Sequence, residues 1–229
     1  MSNLSFILPI SIIGLLVDIW FVRTEYEGKM LKATVLKGCA SLLFVCLGTC
    51  CYVKRPSDTA TLILIGLISG MAGDILLNMR NLYEGGTSNK VFAIGILAFL
   101  LGHILYITFL LNQAFSERLI ALILTVAIAL LSIPPLMKRI TAPSKGLKLF
   151  GYVYLTVVIA MFSCAVALLM ALGIARLTVT FLIGALLFMV SDFIMIYYSF
   201  GKKIKPLRAI NLLAYYVGQL LIASCILFI

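Results

Sequence analysis

Histidine and acidic residues are scarce in this sequence, and their scarcity excludes several kinds of site. The chain of 229 residues has one histidine, eight Asp and Glu residues, and six cysteines without metal-type spacing. A catalytic zinc site normally takes three protein ligands, many of them histidines. The G-x-S-x-G motif of serine hydrolases is missing as well. We therefore predict no metal ligands and no cofactor.

Long polar stretches are also missing, so no soluble domain is expected. The chain is 63% hydrophobic, well above the composition of soluble globular proteins. Eight apolar segments have about the 20 residues needed to cross a bilayer. In chain order they are residues 4–22, 33–53, 60–79, 91–111, 119–137, 149–172, 177–199 and 207–228. The predicted fold class is an all-α integral membrane protein, a single domain over residues 1–229, with about eight transmembrane helices around a polar intramembrane cavity.

Basic residues in the loops give the chain its net charge of +10 and predict its orientation. The loops after the first, third, fifth and seventh segments hold thirteen Lys and Arg residues, and the opposite side holds four. Under the positive-inside rule these odd-numbered loops are cytoplasmic and both termini are outside. Residues 1–21 contain no Lys or Arg, so we expect a retained first span rather than a signal peptide. The predicted location is a bacterial inner membrane or the endoplasmic reticulum.

Two aspartates occur in matching contexts inside apolar segments. Asp74 lies in the third segment and Asp192 in the seventh. Gly66 and Gly184 fall at the same offset before them, which hints at a parallel repeat of four segments plus four. An ionisable group inside the membrane costs several kcal/mol unless it is paired or hydrated, so both acids are candidate functional residues. The alternative is that each aspartate only ties helices together.

Polar side chains at helical spacing indicate which faces turn into the bundle. On the third segment, small residues and Asp74 share one face. Aromatic and polar residues share one face of the fourth segment and one face of the eighth segment. Polar stripes of this kind, each a row of side chains on one helix face, occur on five segments and predict a water-accessible cavity inside the bundle. We expect members of these stripes to orient water or the glycerol backbone of a lipid; they are Asn78, His103, Tyr106, Tyr215 and Gln219. Hydrogen bonding between helices alone is the simpler explanation for each of them.

Lys37 lies inside the second apolar segment and has two possible acidic partners. We favour an ion pair with Asp18, which lies near the same end of the first segment, as a structural contact. The alternative is that Lys37 reaches Asp74, which would place it with the substrate-binding residues.

Together these motifs resemble the YhhN family, whose animal members are the transmembrane-86 lysoplasmalogenases. The resemblance runs from the second segment to the eighth, and the order and spacing of the motifs are fairly specific. The matching stretches are Gly73-Asp74-Ile75-Leu76-Leu77, Phe92-x2-Gly95-x3-Phe99-x3-His103-x2-Tyr106, Ser191-Asp192 and Tyr215-Tyr216-x2-Gln219. The resemblance implies an eight-helix hydrolase that cleaves the vinyl-ether bond of lysoplasmalogens, with Asp74 and Asp192 as the presumed catalytic pair.

The chemistry of vinyl ethers fits a pair of buried carboxyl groups. Protonation of the alkenyl carbon gives an oxocarbenium ion, which calls for one neutral acid and one ionised carboxylate, much as in glycosidases. Burial and proximity push the pKa values of two carboxyl groups apart, so such a pair can supply both states. The expected partners are a lysophospholipid substrate and membrane lipid. Nucleic acid is not expected, and a homo-oligomer is compatible with the sequence.

Two other classes of protein remain as alternatives. A small-solute or proton-coupled transporter would use the same intramembrane aspartates to carry protons or cations. A zinc-dependent lipid hydrolase of the alkaline-ceramidase type is less well supported, because its metal site needs more histidine than the chain has.

The orientation can be tested with a single cysteine in a variant that lacks the native six. In a Lys202→Cys variant the new thiol should resist an impermeant reagent added outside intact cells, because the positive-inside rule places this loop in the cytoplasm. The same reagent should label Arg176→Cys. Ready labelling of position 202 from outside would overturn the predicted orientation.

Overall fold

The structure, a computed structural model, describes residues 5–141 and 145–229. Over these residues it contains eight α-helices that are long and apolar enough to cross a membrane. They are α1 (Ile7–Tyr26), α2 (Met30–Lys54), α3 (Asp58–Met79), α4 (Gly85–Gln113), α5 (Arg118–Met137), α6 (Lys145–Leu172), α7 (Arg176–Phe200) and α8 (Lys205–Cys225). No β-strand occurs in the described ranges, so the predicted all-α membrane fold is confirmed. Residue 4, the predicted start of the first segment, lies outside the described residues, and the polar cavity stays a prediction.

The helix boundaries follow from local chemistry. Ser57 caps α3, because its side-chain oxygen accepts a hydrogen bond from the Ala60 N–H at 3.1 Å. The turns after α1 and α6 contain Gly28 and Gly173, with φ angles of 76° and 72°. Only glycine adopts this left-handed conformation at little cost, so tight connections between antiparallel helices are possible at these two points.

The chain divides into two compact units. The first comprises residues up to 105 together with 223–229, and the second comprises residues 106–222. In the first unit α1 packs on α2 and α2 on α3, while in the second α5 packs on α6 and α6 on α7. The boundaries fall within α4 and within α8. The single-domain organisation expected from the sequence stays a prediction.

Glycines bring helices into close contact at equivalent positions in the two units. In the first unit, a Cβ atom added to Gly102 would lie 3.0 Å from the carbonyl oxygen of Gly66. In the second unit, a Cβ atom added to Gly218 would lie 2.9 Å from the carbonyl oxygen of Gly184. A side chain at Gly102 or at Gly218 would prevent these approaches. Because Gly66 and Gly184 fall at the same offset before the two aspartates, the contact supports the repeat inferred from the sequence.

Candidate functional site

Asp74 lies on α3 and is held by two side chains of the neighbouring helix α2. The Ser41 hydroxyl donates a hydrogen bond to Asp74 Oδ2 at 2.6 Å, and Lys37 Nζ lies 3.1 Å from Asp74 Oδ1. Lys37 and Ser41 are four residues apart, so both project from the same face of α2. A carboxylate that receives both a charged and a neutral donor is fixed in position as well as compensated in charge.

The Lys37–Asp74 ion pair answers the question that the sequence left open. Of the two possible partners of Lys37, the structure places Asp74 in direct contact, which corrects the sequence-based preference for Asp18, a buried residue of α1. The side chains of Lys37 and Asp74 are only 5% and 2% exposed. Burial of two charges is costly, so each group depends strongly on the presence of the other.

Asn78 lies one turn beyond Asp74 on α3 and is also buried. Its side-chain amide lies 3.0 Å from the Thr34 hydroxyl of α2. With the amide oriented to satisfy its neighbours, its nitrogen donates to Glu25 Oε1 at 3.2 Å and its oxygen faces Thr34. Asn78 therefore links α3 to both α1 and α2, and its substrate-binding role stays a prediction.

His103 belongs to the first unit, where it is buried on α4. Its Nδ1 atom lies 2.7 Å from the carbonyl oxygen of Phe99 in the preceding turn. The Phe99 ring packs against α3 beside Gly73, where an added Cβ atom would lie 2.6 Å from the ring. A side chain larger than hydrogen before Asp74 would push this ring away, which explains the glycine at that position.

Asp192 lies on α7 in the second unit and is 4% exposed. The Tyr154 hydroxyl of α6 donates a hydrogen bond to Asp192 Oδ2 at 2.7 Å. Asn211 on α8 donates to the carbonyl oxygen and the hydroxyl of Ser191, both at 2.7 Å. The residue before the acid is therefore fixed by α8, and the acid itself by α6.

Three of the predicted substrate-binding residues lie together in the second unit. The Tyr106 hydroxyl donates to Gln219 Oε1 at 3.1 Å, and Gln219 Nε2 donates to the Tyr215 hydroxyl at 3.3 Å. The Tyr215 ring also packs edge-on against Phe188, with the ring centroids 5.2 Å apart. These three buried side chains therefore form one hydrogen-bonded chain, and their substrate-binding role stays a prediction.

Tyr154 and Ser41 were not anticipated from the sequence, although both contact a candidate catalytic acid. A tyrosine within an apolar segment is normally interpreted as a packing residue, and a serine as a small residue of the helix. The repeat carries a usable signal: Lys37 precedes Asp74 by 37 residues, and Tyr154 precedes Asp192 by 38 (74 − 37 and 192 − 154). Extending the repeat to the preceding helix with the same offset would have pointed to Leu155, one residue after Tyr154.

The described residues do not form a metal site of the usual kind. Within residues 5–141 and 145–229, no group of three or more His, Cys, Asp or Glu side chains is arranged to hold a metal ion. The donor chemistry of the two sites is instead that of carboxyl groups with hydroxyl, amide and ammonium partners.

A family model now places the chain among known proteins. The model of the YhhN family matches residues 32–226. The chain belongs to the YhhN family. The match covers nearly all of α2 and the whole of α3 to α8, and with them Asp74, Asp192 and their contacts. Comparisons with curated proteins and with solved structures gave no match.

The ion pair of this YhhN family protein can be tested by a double-mutant cycle. Lys37→Met should lower the free energy of unfolding by about 3–5 kcal/mol, because it leaves the Asp74 carboxylate buried without its cation. The double variant Lys37→Met/Asp74→Asn should lose less than the sum of the two single variants. Unfolding by sodium dodecyl sulfate in mixed micelles, followed by circular dichroism, measures these differences.

The matched control for the cycle is Lys90→Met, which removes an exposed lysine from the first turns of α4. This variant should stay within about 0.5 kcal/mol of the wild type, as surface substitutions usually do. Strictly additive losses in the cycle would show that Lys37 and Asp74 do not stabilise each other.

Proposed function

We propose that this protein hydrolyses the vinyl-ether bond of lysoplasmalogens, releasing a fatty aldehyde and glycerophosphoethanolamine or glycerophosphocholine. The observation that carries the proposal is the pair of buried aspartates on equivalent helices, each held by a donor from the preceding helix. The substrate is taken from the YhhN family, because the motifs of this chain resemble those of its lysoplasmalogenase members. Buried carboxyl groups of this kind are costly and are typical of functional sites.

The proposed reaction consumes one water and needs no covalent intermediate. An acid delivers a proton to the alkenyl carbon that is not bonded to oxygen, and the double-bond electrons form the new C–H bond. The resulting oxocarbenium ion takes up water at the carbon bonded to oxygen, and loss of a proton gives a hemiacetal. The bond between this carbon and the glycerol oxygen then breaks. The glycerol oxygen takes up a proton, and the aldehyde is released.

The contacts of the two aspartates suggest how these roles are divided. Asp74 has a lysine ammonium 3.1 Å from Oδ1, which suits an ionised carboxylate that stabilises the cation or activates water. Asp192 accepts a hydrogen bond on Oδ2 from a neutral phenol, a donor that does not favour the ionised form as strongly as the ammonium beside Asp74 does. We therefore assign the general acid to Asp192 and the ionised carboxylate to Asp74.

The remaining predicted residues receive supporting roles in the proposal. Tyr106, Gln219 and Tyr215 form a hydrogen-bonded chain that offers both donors and acceptors to water or to glycerol hydroxyls. Asn78 and His103 are kept as binding residues of the first unit. Lys37 acts through its contact with Asp74 rather than on the lipid headgroup.

Isotopic labelling tests the proposed reaction. It also distinguishes hydrolysis from transport, because a transporter would release no hydrolysis product. In H₂¹⁸O the label should enter the aldehyde, and the glycerol product should stay unlabelled, because the bond that breaks is the one to the former vinyl carbon. In D₂O one deuterium should appear on the carbon next to the carbonyl. Mass spectrometry of products formed by the purified protein, at times shorter than aldehyde exchange, measures both.

Two lysolipid analogues serve as controls for the labelling experiment. An acyl lysophospholipid has no alkenyl carbon to protonate, and an alkyl-ether lysolipid cannot form the cation by this route. Both should inhibit competitively and be cleaved poorly. Efficient hydrolysis of the acyl analogue, or ¹⁸O in the glycerol product, would contradict the proposed chemistry.

A further inference from the structure

A groove in the second unit is lined by residue types that differ from those of the candidate site. It has a volume of about 380 Å³ and is formed by α5, α7 and the start of α8. Its lining residues are Ser132, Pro135, Leu136, Arg139, Phe193, Ile194, Tyr197 and Leu207. This volume falls within the range of about 300–1,000 Å³ that is usual for small-molecule sites. An apolar wall with one guanidinium suits a molecule with a hydrocarbon chain and an anionic head.

The groove lies on a different face of α7 from the candidate acid. At 3.6 residues per turn, Phe193, Ile194 and Tyr197 project about 100–200° around the helix from Asp192. They are half-buried, whereas Asp192 is buried. A molecule in the groove would therefore contact α7 on its far side, so occupation of the groove is a property separate from the proposed catalysis.

Arg139 supplies the positive charge of the groove. Among the described residues, no hydrogen bond or ion pair engages its guanidinium, and its side chain is exposed. The chain just beyond it is bonded to the end of α7, because the Thr141 N–H donates to the carbonyl oxygen of Phe200 at 2.8 Å. The end of α7 leads directly into Lys202 and Lys203, which adds positive charge next to the groove.

The sequence offers these basic residues almost no negative partner in their own half of the chain. After Glu117 the chain has a single acidic residue, Asp192, whose carboxyl group is buried and hydrogen-bonded to Tyr154. Eight basic residues occupy the end of the second unit that holds the groove; they are Lys138, Arg139, Lys145, Lys148, Lys202, Lys203, Lys205 and Arg208. Within the second unit, no acidic side chain after Glu117 other than the buried Asp192 is available to balance their charge.

We propose that the groove binds an anionic phospholipid of the surrounding membrane, with its phosphate on Arg139 and one acyl chain along the apolar walls. A net negative lipid fits better than a zwitterionic one, because its headgroup brings no ammonium group to repel the Arg139 guanidinium beside the phosphate. The groove thus anchors this end of α5 and α7 to the lipid leaflet. Arg139 is the residue that discriminates between the headgroups.

Short-range fluorescence quenching tests this assignment in the full-length protein. The chain has one tryptophan, Trp20, so Trp20→Phe/Tyr197→Trp places the only tryptophan in the groove. The protein is reconstituted in phosphatidylcholine vesicles with phosphatidylglycerol or phosphatidylcholine brominated on its acyl chains. Brominated phosphatidylglycerol should quench with about fivefold higher relative affinity, the factor equivalent to about 1 kcal/mol per basic residue.

Charge variants in the same background decide whether Arg139 is responsible. Arg139→Gln should abolish the preference for phosphatidylglycerol, and Arg139→Lys should retain most of it. Arg118→Gln, which removes one charge at the opposite end of α5, should leave the preference unchanged. A reporter at Leu122, an exposed residue of α5 far along the helix from the groove, should be quenched equally by the two lipids.

Two outcomes would overturn the proposal. The first is equal quenching of the groove tryptophan by both brominated lipids, which would show an ordinary lipid-facing surface. The second is a preference that survives Arg139→Gln, or that is equally strong at Leu122→Trp, which would show a general attraction to the basic end and no site in the groove.

Discussion

A carboxylate that is buried among apolar helices must be met by donors from its neighbours, and this requirement governs both halves of the structure. Asp74 meets it with an ammonium and a hydroxyl from α2, and Asp192 meets it with a phenol from α6. Each contact fixes the rotation and the height of one helix against the next. A shift of either helix by one turn, about 5.4 Å, would separate the groups and leave the acid uncompensated.

Close glycine contacts join each acid-bearing helix to the helix that follows it. The pairs Gly66 with Gly102 and Gly184 with Gly218 allow backbones to touch, which side chains with a Cβ atom would prevent. Each acid-bearing helix is therefore fixed by a polar contact with the preceding helix and by a close backbone contact with the following one. The two units share this arrangement but differ in the donors that contact the acid. The two aspartates therefore have different electrostatic surroundings. That difference is the physical basis for assigning them different chemical roles.

The sequence was sufficient to predict the elements but not all of their contacts. Eight apolar segments and the positions of the two acids follow from composition and helical spacing, because the bilayer and the backbone impose them on any such chain. The shared face of Tyr215 and Gln219 on α8 also followed from spacing, whereas their contact with Tyr106 on α4 did not. The partner of Lys37 did not, since two acids lay within reach and only the packing of α1, α2 and α3 chooses between them. Tyr154 was missed because an aromatic residue in an apolar helix has the same pattern whether it packs or donates a hydrogen bond.

The central claim is that the buried aspartates perform chemistry and are not merely contacts between helices. The most direct measurement is the turnover of lysoplasmalogen by Asp192→Asn, with Tyr154→Phe as a companion variant that removes the hydrogen bond and keeps the acid. Asparagine has nearly the same shape but no transferable carboxyl proton. The account predicts folded protein with activity reduced by at least about a hundredfold for Asp192→Asn, and a smaller loss for Tyr154→Phe. Near wild-type turnover by folded Asp192→Asn would contradict it.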